Sequence, residues 1–455
     1  MNPSLVGSEM CIRDRLSNTQ EIANVLNGSL SVDRKIYFEG VSTDTRSDVE
    51  GKLFVALEGA HFDGHDFIKV AEDHGAKAII THKDINSNLP LIKVVDTEKA
   101  YQKIAAFHRK SYGPIVIAIT GSNGKTSTKN MLNSILQLEA PTLSTEGNFN
   151  NHLGVPKTLL NLKKNHQFCI IEMGANHQNE ISLLCNIANP NLAIITNANN
   201  AHIGEFGNLK NLVEAKGEIF ESLSKDGIAF INNESPHKKI WRKISGTQEI
   251  IFFGNQSAIY ASNIQQSTED INFQLNIGEN KINITLKLIG RHQVDNALAA
   301  AACASELGIG LEIIKDGLEN TIPEKGRLEL IELENFTLLN DSYNANPHSM
   351  KAAIDTIKKF PGKKIAVLGS MDELGKDSIK LHQEIGEYAK NSGIEKLFSI
   401  GEDAKHYQGD HFQDFQSIVN ILSKKHQKSV ILVKGSRMME LNKLVDILVN
   451  SQNSP

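Results

Sequence analysis

Thr120, Gly121, Ser122, Asn123, Gly124, Lys125 and Thr126, followed by Ser127, stand between the apolar run IVIAI and a segment with helical spacing. Glycines let a backbone wrap tightly, so that several N–H groups and a helix N-terminus point at one anion. In that setting Lys125 neutralises β- and γ-phosphate oxygens, and the Thr126 hydroxyl can ligate Mg²⁺. The stretch departs from the general G-x-x-x-x-G-K-[ST] pattern, because Ile119 holds the first glycine position. Its bland alternative is a Gly-rich turn from strand to helix. Glu172 follows the apolar strand FCII, at the carboxyl end where open α/β sheets hold ligands, and there it can bind Mg²⁺ or simply cap a helix. His292 and Asn296 share one helix face, where Asn296 can pair with an adenine edge or serve as polar decoration of an Ala-rich helix. Asn148, Asn150 and Asn151 can donate to a sugar, a peptide or a phosphate, although Asn-rich turns also form without any ligand. Lys434 and Arg437, in KGSR after a late strand, make a basic loop suited to a carboxylate.

These residues need elements to position them. The N-terminal stretch predicts a helix over Thr19–Leu26, a strand in 51–57 and short strands at 78–80 and 92–95, a small α/β unit. From Ile115 strands alternate with helices, which implies a mostly parallel sheet covered on both faces. Residues 249–290 predict short strands without helices, an antiparallel flank. After Pro323 the alternation resumes, with Asn346 and Pro347 suited to the N-cap and first turn of a helix. The expectation is three α/β domains: a small N-terminal one over 16–98, a central parallel-sheet P-loop domain over 99–322, and a Rossmann-like C-terminal one over 323–455.

The form T-G-x-N-G-K-T is similar to the phosphate loop of the Mur ligase family, and the likeness runs along nearly the whole chain. It includes STDTRSDVEGKLFVALEGAHFDGHDF, GNFNNHLGVPKTLLNL, CIIEMGANHQNEI, TNANNAHIGEFGN, EAKGEIF, GRHQVDNALAAAACASELGI, GRLEL, NDSYNANPHSM and VKGSR. The resemblance implies amide-bond formation driven by ATP, through an acyl phosphate. DSYNANP is the most discriminating stretch, and it implies joining of D-alanyl-D-alanine to UDP-N-acetylmuramoyl-tripeptide in the cytoplasm. The characteristic Asp-Asn-Pro-Arg stretch of the ligase that adds the third residue is absent. A folylpolyglutamate synthase fits less well, because a uridine-domain-like region precedes the loop; a binding module without chemistry is the rival from another class.

By the same resemblance, Glu172 and Thr126 serve one Mg²⁺, and His202 completes a second metal site together with Lys216, once that lysine is carbamylated by CO₂. From spacing alone Lys216 reads as a surface group. Arg327 matches an arginine that reaches ATP phosphates from the linker, so Lys125, His202, Lys216 and Arg327 form the expected catalytic set. Asp341 is expected on the ribose and Asn296 on the adenine. Asp44, Thr45 and Arg46, with the DGH of residues 63–65, match the part that holds the uridine nucleotide, though they serve equally well as turn and capping residues. Asn148, Asn150, Asn151, Tyr343, Asn344, Lys434 and Arg437 are expected around the peptide substrates.

Composition narrows the rest. The chain has 455 residues, a formal charge of -5, 40% hydrophobic and 22% charged residues, too long for one core and ordinary for globular domains. No basic block and a single Trp argue against nucleic acid, and no window approaches the roughly 18 consecutive apolar residues of a membrane span. Small-molecule substrates and a monomer are the expectation. The four cysteines form no CxxC pair, which favours a reducing, cytoplasmic setting. Residues 1–15 show neither helical nor strand period and resemble translated adapter sequence, so they are set apart from the fold.

Overall fold

A computed structural model describes residues 17–199, 203–422 and 429–452. The segment 1–15 and His202 lie outside the described residues. The chain divides into two compact units: residues up to Val116 with Pro141–Ile171 and Leu183–Asn189, and Ile117–Ala140 with Glu172–Ser182 and everything from Pro190.

In the first unit a sheet runs in the order Ser29–Leu30, Leu91–Lys93, Ala78–Thr81, Leu53–Val55, Val41–Ser42. The last four strands are parallel. Alternation along Leu53–Val55 sends Leu53 and Val55 into a core with Ile22, Leu26 and Ile104, and Phe54 into another with Ile68 and Ala71; a parallel sheet must bury both faces in this way. Helix Thr19–Leu26 starts where its sequence says, because the Asn18 side chain accepts from Glu21 N.

In the second unit a sheet runs Asn280–Leu286, Ile271–Ile277, Ile259–Gln266, Glu249–Phe253, Ile228–Asn232, Leu192–Ile195, Ile115–Thr120. Here the antiparallel flank expected over 249–290 needs correcting. Glu249–Phe253 pairs in parallel with Ile228–Asn232, because the unforeseen helix Lys238–Ile244 returns the chain to the same end. Only the strands from Ile259 onward form antiparallel hairpins. Helix Lys125–Glu139 packs against helices His292–Glu306 and Leu311–Glu319.

The C-terminal part of this unit has its own sheet, ordered Glu329–Glu332, Phe336–Asp341, Ser429–Lys434, Lys363–Gly369, Lys396–Ile400, Asp410–Phe412. All its pairings are parallel except that of the first strand, and apolar clusters lie on both faces. The fold is α/β throughout, as expected. No described helix is long and apolar enough to cross a membrane.

Candidate active site

The strand Ile115–Thr120 is buried from its second residue on and delivers Thr120 to the carboxyl end of the sheet. There the Thr120 hydroxyl donates to Met173 O at 2.8 Å, and Met173 N donates to Ile119 O at 2.8 Å. Glu172, 3% exposed, is thereby fixed beside the start of the loop.

The loop is tied from one side by the polar run that ends strand Leu192–Ile195. Thr196 Oγ1 donates to Asn123 O at 2.6 Å, Asn197 Nδ2 donates to the same oxygen at 3.0 Å, and Asn123 N donates to Asn197 Oδ1 at 3.1 Å. Ser122 Oγ donates to Asn199 O and accepts from Asn199 N, each at 3.0 Å. Gly121 and Gly124 have φ of +152° and +81°, and neither has room for a Cβ. At Gly121 it would lie 1.9 Å from Thr196 Oγ1, and at Gly124 2.3 Å from Asn296 Oδ1. A backbone this confined presents its amides without reorganisation. Thr196, Asn197 and Asn199 were not singled out in the sequence, although a TNANN run at a strand's carboxyl end is the signal that finds them.

Lys125 opens helix Lys125–Glu139, and its Nζ donates to Gly121 O at 2.7 Å. Burial pulls its pKa down, the Glu172 carboxylate opposes that, and the Arg327 charge adds to it. Arg327, 201 residues further on, donates from Nη2 to Thr126 Oγ1 at 2.9 Å. A second tie is a reciprocal amide pair: Asn346 Nδ2 donates to Asn123 Oδ1 at 2.7 Å, and Asn123 Nδ2 donates to Asn346 Oδ1 at 3.5 Å. The same Asn346 caps helix Pro347–Ile357 with a full capping box, so its structural reading holds.

Lys216 is not the surface group that its spacing suggests. On helix Leu209–Glu221 it is 2% exposed, and burial lowers its pKa to about 7, with Lys125 lowering it further and Glu218 opposing. Lys216, Lys125 and Glu172 therefore share one electrostatic neighbourhood. Hydroxyl and carboxylate oxygens are the donors that hard Mg²⁺ takes, and Thr126 and Glu172 supply both at the loop. Among the described residues no three His, Cys, Asp or Glu side chains are grouped to hold a metal.

Other expected residues land in differing surroundings. Asn296 is buried and donates to Gln293 Oε1 at 2.9 Å; burial lowers the His292 pKa to about 4. Asp341 accepts from Lys434 Nζ at 2.6 Å and from Leu328 N at 3.1 Å. Burial raises the Asp341 pKa against the pull of Lys434. Lys434, 3% exposed, is thus engaged within the protein, whereas Asn344 and Arg437 are exposed. In the first unit Arg46 pairs with Asp44 at 2.8 Å on the surface, and Thr45 is buried. Asn151 Oδ1 accepts from Gly154 N at 2.8 Å at the start of helix Gly154–Leu159, a capping role. Asn148 is exposed and Asn150 half-buried. Asp63 caps the turn Gly64–Phe67.

Three domains of one family match the chain: the Mur ligase family catalytic domain over residues 37–109, the Mur ligase middle domain over 119–304, and the Mur ligase glutamate ligase domain over 326–437. The chain is 39% identical to the UDP-N-acetylmuramoyl-tripeptide–D-alanyl-D-alanine ligase of Haemophilus influenzae, over 94% of this chain and 97% of that protein. It superposes on MurF from Acinetobacter baumannii with a TM-score of 0.92 at 34% identity, covering 95% and 99% of the two chains. MurF ligase from Thermotoga maritima, solved in complex with ADP, gives 0.84 at 26% identity over 91% and 98%.

Proposed function

The chain belongs to the Mur ligase family, and from that premise we propose that it joins D-alanyl-D-alanine to UDP-N-acetylmuramoyl-tripeptide, converting ATP to ADP and phosphate, as a cytoplasmic monomer. The observation that carries the ATP part is that Lys125 and Arg327 both reach the preformed loop, Lys125 at Gly121 and Arg327 at Thr126. End-to-end likeness to ligases of that name supports the choice of substrates.

In this reading the Lys125 ammonium exchanges the Gly121 carbonyl for phosphate oxygens, and the first amides of helix Lys125–Glu139 face the same anion. Thr126 and Glu172 would hold Mg²⁺, and His202 with a carbamylated Lys216 would hold a second ion; bound there, Mg²⁺ would neutralise charge on the phosphate oxygens. A lysine whose pKa falls to about 7 keeps a large neutral fraction at neutral pH, and the neutral amine is the form that adds CO₂. Asn296 faces the adenine and Asp341 the ribose. The tripeptide carboxylate attacks the γ-phosphorus and ADP leaves; the dipeptide amine then attacks the acyl carbon and phosphate leaves. The protein contributes mainly positioning and charge neutralisation. In the same reading Arg437 and Asn344 serve the dipeptide, and Asp44, Thr45, Arg46, Asn148 and Asn150 the uridine and peptide ends.

The test is phosphate release by the purified protein given ATP and UDP-N-acetylmuramoyl-tripeptide, with and without D-alanyl-D-alanine. Release that requires the dipeptide supports the reading. Absence of release in both cases, or release driven instead by glutamate and a folate, removes it.

A further inference from the structure

Arg327 enters the phosphate site from a narrow bracket of backbone. Gly326 and Leu328 flank it with φ of +77° and +52°, and a leucine adopts the left-handed region only where its surroundings hold it there. Both flanks are held by one segment. Tyr343 N donates to Gly326 O at 3.0 Å, and Leu328 N donates to Asp341 Oδ1 at 3.1 Å. Asp341 is itself anchored, because Lys434 Nζ donates to its Oδ2 at 2.6 Å and to Asn344 O at 2.9 Å.

The side chain is fixed by the same segment. Arg327 Cζ lies 4.1 Å from the centroid of the Tyr343 ring, and Arg437 Cζ lies 5.0 Å from it. Glu324 Oε2 sits 3.2 Å from Arg327 Nε. An arginine stem is flexible, so its guanidinium reaches one place reliably only when backbone and guanidinium plane are both set. A ring face does the second by cation–π attraction, without consuming the N–H groups needed for phosphate.

We propose that Tyr343 is a positioning residue: with Asp341 it forms a bracket that holds Arg327 at the phosphate loop, and Lys434 anchors that bracket rather than meeting a substrate. The inference rests on the ATP reading of the loop and is independent of which acceptor is used. The Tyr343 hydroxyl has no part in it, whereas the ring is essential.

The experiment is calorimetric titration of the full-length protein with Mg²⁺ and a non-hydrolysable ATP analogue. It uses the parent, Tyr343→Leu, Tyr343→Phe, Arg327→Gln and the Tyr343→Leu/Arg327→Gln double variant, with melting curves alongside. Tyr343→Leu should bind about tenfold more weakly with an unchanged melting temperature, and Tyr343→Phe should stay within about threefold of the parent. The double variant should bind no more weakly than Arg327→Gln alone, since a displaced arginine cannot be lost twice. If Tyr343→Leu does not fold, Tyr343→Met replaces it. Parent-like binding by the ring-less variant, additive losses in the double variant, or a parent that does not bind the analogue each overturn the proposal. A parent that binds the analogue but shows no dipeptide-dependent phosphate release removes the ligase reading and leaves the bracket standing.

Discussion

The phosphate loop and the Asp44–Arg46 loop both follow parallel strands, yet they are built in opposite ways. Around the first, side chains from distant parts of the second unit converge: Thr196 and Asn197 on Asn123, Arg327 on Thr126, Asn346 on Asn123. Around the second, Arg46 bonds to its own neighbour Asp44, with side chains 89% and 44% exposed. A loop tied by its fold is an anion site before any anion arrives, so binding reorganises little. A solvated local pair is worth little by itself, and a ligand there must supply the order.

The contrast can be broken most severely at Lys125. Lys125→Met should reduce turnover by about 10³-fold or more, the scale of losing a preformed charge at developing phosphate charge, with little change in melting; steady-state kinetics on the folded variant check this. A loss under tenfold would mean that the tied loop is not where charge develops.

Lys216→Met sharpens the comparison by separating activity from stability. Turnover should fall by about 10²-fold or more, within the range typical of lost electrostatic stabilisation, while the protein melts no lower than the parent. In the folded state Lys216 loses its proton near 7, against 10.5 ordinarily. The unfolded chain therefore holds the extra proton between those values. Stability of the parent should rise with pH across that window, with the full penalty present below it. In the variant that rise should be gone, and chemical denaturation at a series of pH values measures it.

Asn346→Ala removes a helix cap and a tie to the phosphate loop together. A cost of about 1–2 kcal/mol is expected from the cap, with weaker nucleotide binding on top; urea titration and nucleotide binding resolve the two. The smallest effect belongs to the exposed loop. The Arg46 side chain holds the Asp44 carboxyl down at about 2, so whatever stability the pair gives is present above the ordinary carboxylate range and lost as pH falls toward 2. Asp44→Asn should cost no more than about 0.5 kcal/mol at neutral pH, and less in high salt. A larger, salt-insensitive loss by denaturant titration would erase the distinction between the loops.

What could be read from the chain follows the range of the interactions. Helix Thr19–Leu26 was legible to the residue, because a local cap defines its start. The Asn346 cap was legible for the same reason. Helix Gly154–Leu159 was hidden behind an Asn-rich turn, and Lys238–Ile244 behind a basic, weakly periodic stretch whose anchor is one buried Trp241. The phosphate loop, Glu172 and Arg327 were named from the sequence. Their ties were not, since Lys434 meets Asp341 across 93 residues and Asn123 meets Asn346 across 223. Burial of Lys216 was equally hidden, because a lone lysine within a helix carries no local mark of the apolar packing around it.

One measurement bears on the proposed chemistry most directly. UDP-N-acetylmuramoyl-tripeptide carrying ¹⁸O in its terminal carboxylate is turned over with ATP and D-alanyl-D-alanine, and the released phosphate is weighed by mass spectrometry. Transfer of the carboxylate oxygen through an acyl phosphate predicts one ¹⁸O in each phosphate formed from doubly labelled carboxylate. Phosphate free of label, formed together with the ligated product, would contradict it.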